Sequence, residues 1–213
     1  MSLFVNIDGP NGTGKTGLIK KVKSRLETIF DKFRLDEKVY TTSEPGGTEV
    51  RNKIRQLLLN PDYDEMDEIT ETILFFADRA EHYHNFLKEK DGIIITDRYV
   101  SSTYVYQHYL KGVSKGVIDD LFRISTDEFI PDLNFLLISD KPHSKDIGDK
   151  FEDEKLNSRK KEIQAFVDFF NNDSRFKKFY VLSTNEKKWE QYASFMAKTI
   201  YDYYNIKNKY ETM

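Results

Sequence analysis

The sequence predicts an α/β protein, a mostly parallel sheet with helices on both faces. Three observations predict it. Short apolar runs alternate with longer stretches of helical spacing along the whole chain. The connections between them are short, which calls for crossover units rather than hairpins. No internal repeat, low-complexity tract or Pro/Gly/Ser linker interrupts the pattern over the 213 residues, a length that suits one compact domain or two small ones at most.

The elements follow in order. Residues 3–7 read as a buried strand that ends in Asp8 and a glycine-rich loop. Residues 15–33 carry Leu18, Ile19, Val22, Leu26 and Ile29 at helical spacing. A second strand is expected at 39–42 and a helix at 49–59, stopped by Asn60-Pro61. A long helix is expected at 67–88, a third strand at 92–96, and further helices at 102–110 and 115–126. Residues 133–139 and 179–182 are the last strands, with helix between and after them. In such sheets ligands bind beyond the carboxyl ends of the strands.

Composition bounds the chemistry. With no cysteine, disulfides, thiolate zinc sites, iron–sulfur clusters and cysteine nucleophiles are excluded. A formal net charge of −3 argues against a nucleic-acid-binding face, though not against a local positive site. The longest aliphatic runs, at 93–95 and 136–138, are far too short to cross a bilayer. With no basic-then-apolar signal segment at the N-terminus, the expectation is a cytoplasmic protein with neither membrane nor nucleic acid as partner.

Residues 9–16, GPNGTGKT, match G-x-x-x-x-G-K-[ST] in full, between an apolar strand and a helix, which is the context this motif requires. The glycines let successive N–H groups turn around phosphate oxygens, and the helix N-terminus adds partial positive charge. Gly9, Asn11, Gly12, Thr13, Gly14, Lys15 and Thr16 are therefore expected to hold nucleotide phosphates, with Lys15 reaching the outer ones and the Thr16 hydroxyl able to ligate magnesium. A phosphate loop makes the fold a three-layer αβα P-loop NTPase. The motif serves kinases, GTPases, motors and ligases alike, so the rest of the chain must decide between them.

Beyond the second strand, Ser43-Glu44-Pro45-Gly46-Gly47-Thr48 forces a sharp loop with Glu44 at its mouth, and Arg55 follows on the next helix. On the long helix, Phe75, Arg79 and His82 stand at i, i+4 and i+7 and share a face. An aromatic ring beside a guanidinium can stack a planar base and hydrogen-bond its edge, although a core Phe with a surface Arg is the commoner state of such a pair. The third strand ends in Asp97-Arg98-Tyr99, followed by Ser102, Thr103, Tyr106 and Gln107. Singly, an Asp-Arg strand end is often only an ion pair. Together these residues put carboxylates, arginines and aromatics at the ligand-binding edge of the sheet.

With these motifs in view, the chain resembles the bacterial-type thymidylate kinases, which phosphorylate dTMP to dTDP with ATP and magnesium. The resemblance rests on GPNGTGKT at 9–16, SEPGGT at 43–48, LFFADRAEH at 74–82, DRYVSSTYVYQ at 97–107 and IPDLNFLLI at 130–138. It implies a five-stranded parallel sheet, a homodimer and a mobile lid around 140–156. It also implies that Phe75 stacks on thymine, Arg79 and Thr103 read the base edge, and Gln107 closes the base pocket. Arg55 and Arg98 would hold the acceptor phosphate, Tyr106 would crowd the sugar 2′ position, Glu44 would sit near acceptor phosphate and magnesium, and Asp97 would help organise the metal.

Three positions depart from the family pattern: Asn11 stands where an acidic residue grips the sugar 3′-hydroxyl, Ser43 replaces an arginine, and the lid contains Lys145 and Lys150 but no arginine. Lysine lacks the bidentate fork of arginine, so Lys145, Lys150 or the nearby Arg159 is expected to serve the transferring group. A kinase for another nucleoside monophosphate, and a weakly active nucleotide-binding paralogue, are the alternative readings.

Overall fold

The computed structural model describes residues 2–140 and 156–211. Five strands, β1 (Ser2–Asp8), β2 (Val39–Ser43), β3 (Gly92–Asp97), β4 (Leu133–Ile138) and β5 (Phe179–Ser183), form one sheet in the order β2-β3-β1-β4-β5. Every neighbouring pair is parallel, as the short crossovers require. The expected strands are present, and each matches its predicted span to within a residue.

The helices are α1 (Lys15–Phe33), α2 (Glu49–Leu59), α3 (Glu68–His82), α4 (Val100–Thr103), α5 (Lys115–Thr126), α6 (Leu156–Asn172) and α7 (Trp189–Glu211). α1 and α7 cover one face of the sheet, where Leu3, Val5 and Ile7 meet Leu18, Val22, Leu26, Met196 and Ile200. Phe30 completes the α1 stripe, while Ile29 sits only partly buried at its margin. Strand alternation sends Phe4, Ile94 and Leu136 to the opposite face, against residues of α3, α5 and α6 such as Phe76, Phe122, Phe166 and Phe169. Each fully buried side chain of this size stabilises the fold by about 1.5–3 kcal/mol.

Two expected helices differ in their detail. The long helix expected at 67–88 is α-helical only as far as His82 and continues as π-helix over Tyr83–Leu87, with the Lys88 N–H reaching back to the Tyr83 carbonyl at 3.0 Å. The helix expected at 102–110 is α4 followed by π-helix over Tyr104–Leu110. A widened turn carries no signature in local hydrophobic spacing, and such turns cluster at functional sites. The start of α3 is legible: Asp67 caps it, accepting from the N–H groups of Ile69 (2.9 Å) and Thr70 (3.1 Å). Asp140 apart, the expected lid residues up to 155, including Lys145 and Lys150, lie outside the described residues.

Candidate active site

The carboxyl ends of β1, β2 and β3 meet because the sheet is parallel, with Asp97 level with Ile7 on one side and Ser43 on the other. The glycine-rich loop leaves β1 there. Gly9 has φ 134°, and a Cβ on it would stand 2.1 Å from the Leu137 carbonyl oxygen, so only glycine fits. Gly14 has φ 86° and lies against the Trp189 ring of α7, where a Cβ would come within 2.6 Å. The Thr13 hydroxyl turns inward to the Pro10 carbonyl at 3.0 Å, leaving its backbone for any phosphate contact. Lys15 donates to the carbonyls of Gly9 (2.8 Å) and Pro10 (2.9 Å). Burial, then the Arg98 charge, pull its ammonium down to about 7, against the opposing influence of Asp97, Asp8 and Glu162. The Thr16 hydroxyl donates to the Asp97 carboxylate at 2.6 Å, joining the first turn of α1 to the end of β3.

Behind the loop stands a residue that the sequence reading passed over as a strand end. Asp8 is fully buried and accepts from the Gly9 N–H (2.8 Å), from the hydroxyls of Ser101 (2.5 Å) and Ser102 (2.7 Å), and from Arg98 Nη1 (3.3 Å). Ser102 also accepts from Arg98 at 2.7 Å, and the other arm of Arg98 donates to the Asn11 amide oxygen. Arg98 itself holds φ 71°, a conformation unusual outside glycine, with its N–H tied to the Ile7 carbonyl at 3.0 Å. A buried carboxylate thus aims an arginine across the loop mouth, and Asn11 faces that arginine.

Glu44 is also buried, and both its oxygens are engaged by the protein: one accepts from Arg79 Nε at 2.9 Å, the other lies 2.8 Å from His82 Nδ1. Burial alone would push its carboxyl up. The Arg79 charge, the His82 hydrogen bond and charge, and the Arg51 charge together hold it below the ordinary carboxylate value. The structure therefore gives Glu44 the task of fixing Arg79, while leaving it on the lining of the ligand cleft. Arg79 Nη2 donates to Thr103 at 3.0 Å, while its buried Nη1 has no hydrogen-bond partner. The guanidinium lies 4.7 Å from the Phe76 ring centre and 5.4 Å from that of Tyr99, so its ring partners are these two rather than Phe75. Phe75 is half-buried instead and lines a cavity of about 110 Å³ together with Asn11, Arg55, Arg79, Arg98, Thr103, Tyr106 and Gln107.

This cavity shares Asn11, Glu44, Arg55 and Arg98 with a cleft of about 990 Å³ lined by Gly12, Gly14, Lys15, Thr16 and Asp97. Arg55 is placed between the two by donating to the Pro45 carbonyl at 2.8 Å. Lys15, Arg55, Arg79 and Arg98 thus converge on one connected site, as a two-ligand reading of the sequence requires. Arg159 does not reach it: its Nε donates to the Ser139 carbonyl at 3.0 Å and its Nη1 lies 3.6 Å from Glu162.

A family model described as thymidylate kinase matches residues 7–192. The chain belongs to the thymidylate kinase family. A thymidylate kinase of Mycoplasma capricolum is 31% identical over 195 residues, covering 86% of this chain and 88% of that protein. One of Mycoplasma mobile is 36% identical, but the match covers 63% of this chain and only 65% of that relative's length. A solved thymidylate kinase from Ehrlichia chaffeensis superposes with a TM-score of 0.67 over 92% of this chain and 98% of its own, at 24% identity, and shares the fold.

Within this thymidylate kinase fold, most of the candidate residues named from sequence line the joined cleft and cavity; Gly9 and Thr13 do not, and serve the loop from beneath. Besides Asp8, the sequence reading missed the buried pair of Arg51 and Asp78. Arg51 donates to both Asp78 oxygens (3.3 and 3.2 Å) and to the Ser43 carbonyl at 2.6 Å, and Asp78 accepts the Gly46 N–H at 2.8 Å. Burial, then the Glu44 charge, push the Asp78 carboxyl up, opposed by Arg51 and that N–H. The pair thus braces the 43–48 loop from behind. The two are 27 residues apart, and only burial makes them choose each other; Asp78 sits with Glu71, Thr72, Phe76, Arg79 and His82 on the buried side of α3.

Proposed function

We propose that this chain transfers the terminal phosphoryl group of ATP to dTMP, giving dTDP. The observation that carries the reading is the ring-walled cavity, lined by Phe75 and by Arg79 with its unpartnered Nη1, and sharing its lining with the cleft of a complete phosphate loop. Phe75 offers a stacking face, and Arg79 with Thr103 offers hydrogen bonds to a pyrimidine edge. Tyr106 lies where the sugar would pass, and Gln107, held by Glu71 at 3.3 Å, closes the far wall. Arg98 and Arg55 face the acceptor phosphate, and the loop with Lys15 holds the donor.

The chemistry is positioning and charge neutralisation. An acceptor phosphate oxygen is already largely deprotonated near neutral pH, so no strong general base is needed. The residues must bring two anions into line and exclude water. Thr16 Oγ1 and Asp97 Oδ2, hydrogen-bonded at 2.6 Å, are hard oxygen donors that fit magnesium, an ion that takes few protein ligands and completes its octahedron with water and phosphate. Magnesium, when bound, neutralises charge on the transferring phosphates.

We read residues 1–213 as one domain, cytoplasmic and homodimeric, with Lys145 or Lys150 as the lid cation. The exposed Ile69 and Ile73, one turn apart on α3, together with Val50 and Leu57 on α2, support an apolar pairing surface, which light scattering tests. A coupled assay with ATP-magnesium and a panel of nucleoside monophosphates tests the activity. Preference for dTMP is the expected result; another preferred acceptor, or ATP binding without turnover on any, overturns it.

A further inference from the structure

We propose that Glu162 is a positioning and specificity-determining residue, whose carboxylate fixes the Tyr106 ring and so sets how sharply the acceptor cavity separates a 2′-deoxyribose from a ribose. The inference rests on the acceptor reading given above. Glu162 lies on α6, four residues before the core Phe166, and is only 6% exposed. A buried carboxylate is costly unless its oxygens are matched. Here one oxygen accepts from the Tyr106 hydroxyl and the other lies 3.6 Å from Arg159 Nη1. Arg159 is in turn fixed to the end of β4 through the Ser139 carbonyl at 3.0 Å. The chain β4–Arg159–Glu162–Tyr106 thus crosses from the sheet to the cavity wall.

Tyr106 is held on its other sides as well. Its ring meets Phe166 edge-on at 5.9 Å, and the Arg98 guanidinium lies 5.5 Å from its centre. A ring locked at the hydroxyl, edge and face keeps its place when a bulkier sugar presses on it. A ring that has lost the Glu162 acceptor is held less firmly. Glu162 does not line the cavity, and its oxygens face protein groups, so its effect on the acceptor passes through Tyr106.

The test compares dTMP with its ribose counterpart, 5-methyluridine 5′-monophosphate, by calorimetric titration and by the split between kcat and KM. The chain is compared with Glu162→Ala, Glu162→Gln, Tyr106→Phe and the Ala/Phe double variant. Glu162→Ala and Tyr106→Phe are each expected to lower the deoxy-over-ribo preference by about tenfold, what loss of one hydrogen bond to a charged group amounts to, mainly in affinity and KM. Glu162→Gln, whose carbonyl still accepts the phenol proton, retains most of the preference, and the double variant is no worse than either single one. A preference unchanged in Tyr106→Phe, which keeps the Glu162–Arg159 contact and the fold, overturns the inference; so does a Gln variant as impaired as the Ala one. If the unsubstituted chain binds neither nucleotide, the acceptor reading fails, and this inference with it. If it prefers dTMP while the variants match it, only this inference fails.

Discussion

Lys15 is a cation whose environment opposes its charge. Its ammonium is pulled from 10.5 to about 7 by burial and by Arg98. Below pH 7 it is protonated in both folded and unfolded chains. Between about pH 7 and 10.5 the unfolded chain binds a proton that the folded one does not, so this group's contribution to stability rises with pH across that window. Lys15→Met is expected to flatten that rise in urea unfolding compared at pH 7 and pH 9, and an undiminished rise would contradict the buried placement. The same variant should lose phosphoryl transfer by about 10²–10³ or more, the scale of removing one preorganised charge-stabilising donor. ATP phosphates restore a partner to the ammonium, so binding at pH 8 should take up protons, read as a buffer-dependent heat. Phe75→Ala should weaken dTMP binding by about 1–3 kcal/mol if it stacks the base. Lys15 and Phe75 were both legible in the sequence, one from a motif with its own mechanism, the other from helical spacing. The new partner of Glu44 was not, since Glu44 and Arg79 are 35 residues apart and only burial makes them choose each other.

At the scale of elements, the 43–48 loop is held by the Arg51–Asp78 pair rather than by its own glycines alone. Asp78→Ala leaves the Arg51 charge buried and unmatched, and a cost of about 3–5 kcal/mol is expected in urea unfolding. Replacing both by apolar residues of similar volume should recover most of that loss, and a double variant as unstable as the single one would show that the pair is not coupled. The Asp78 variant should also raise the KM for the acceptor, because Gly46 loses the anchor of its N–H and the loop carries Glu44. The boundaries of α1 and α2 were readable from spacing and stop signals. The π-helical turns after α3 and α4 were not, because one extra residue in a turn changes hydrogen-bond partners without changing which residues are apolar.

At the scale of the whole molecule, a net charge of −3 coexists with five basic side chains, Lys15, Lys20, Arg55, Arg79 and Arg98, lining the joined cleft and cavity. Focused fields of this kind act over a Debye length of about 10 Å at 0.1 M salt. The KM values for both nucleotides should therefore rise with added sodium chloride even though the protein is acidic overall. Flat KM values across that titration would mean that the cations are neutralised within the protein. Asp8 and Asp97, which lie among them, set how far that neutralisation goes. Composition excluded a broad basic face but could not see this pocket, which exists only after the sheet has gathered its strand ends.

The sequence by itself determined the layered fold, the phosphate loop, the family and most of the lining residues. These follow from local pattern: short apolar runs, helical spacing, glycines that only one loop shape accepts. Tertiary structure alone decided which charges face ligand and which face each other. It turned Glu44 onto Arg79 and His82, placed Asp8 behind Arg98 and set Glu162 against Tyr106. Those pairings span 35 to 90 residues of chain and are fixed by strand register and burial, where an unmatched charge costs more than any local preference supplies.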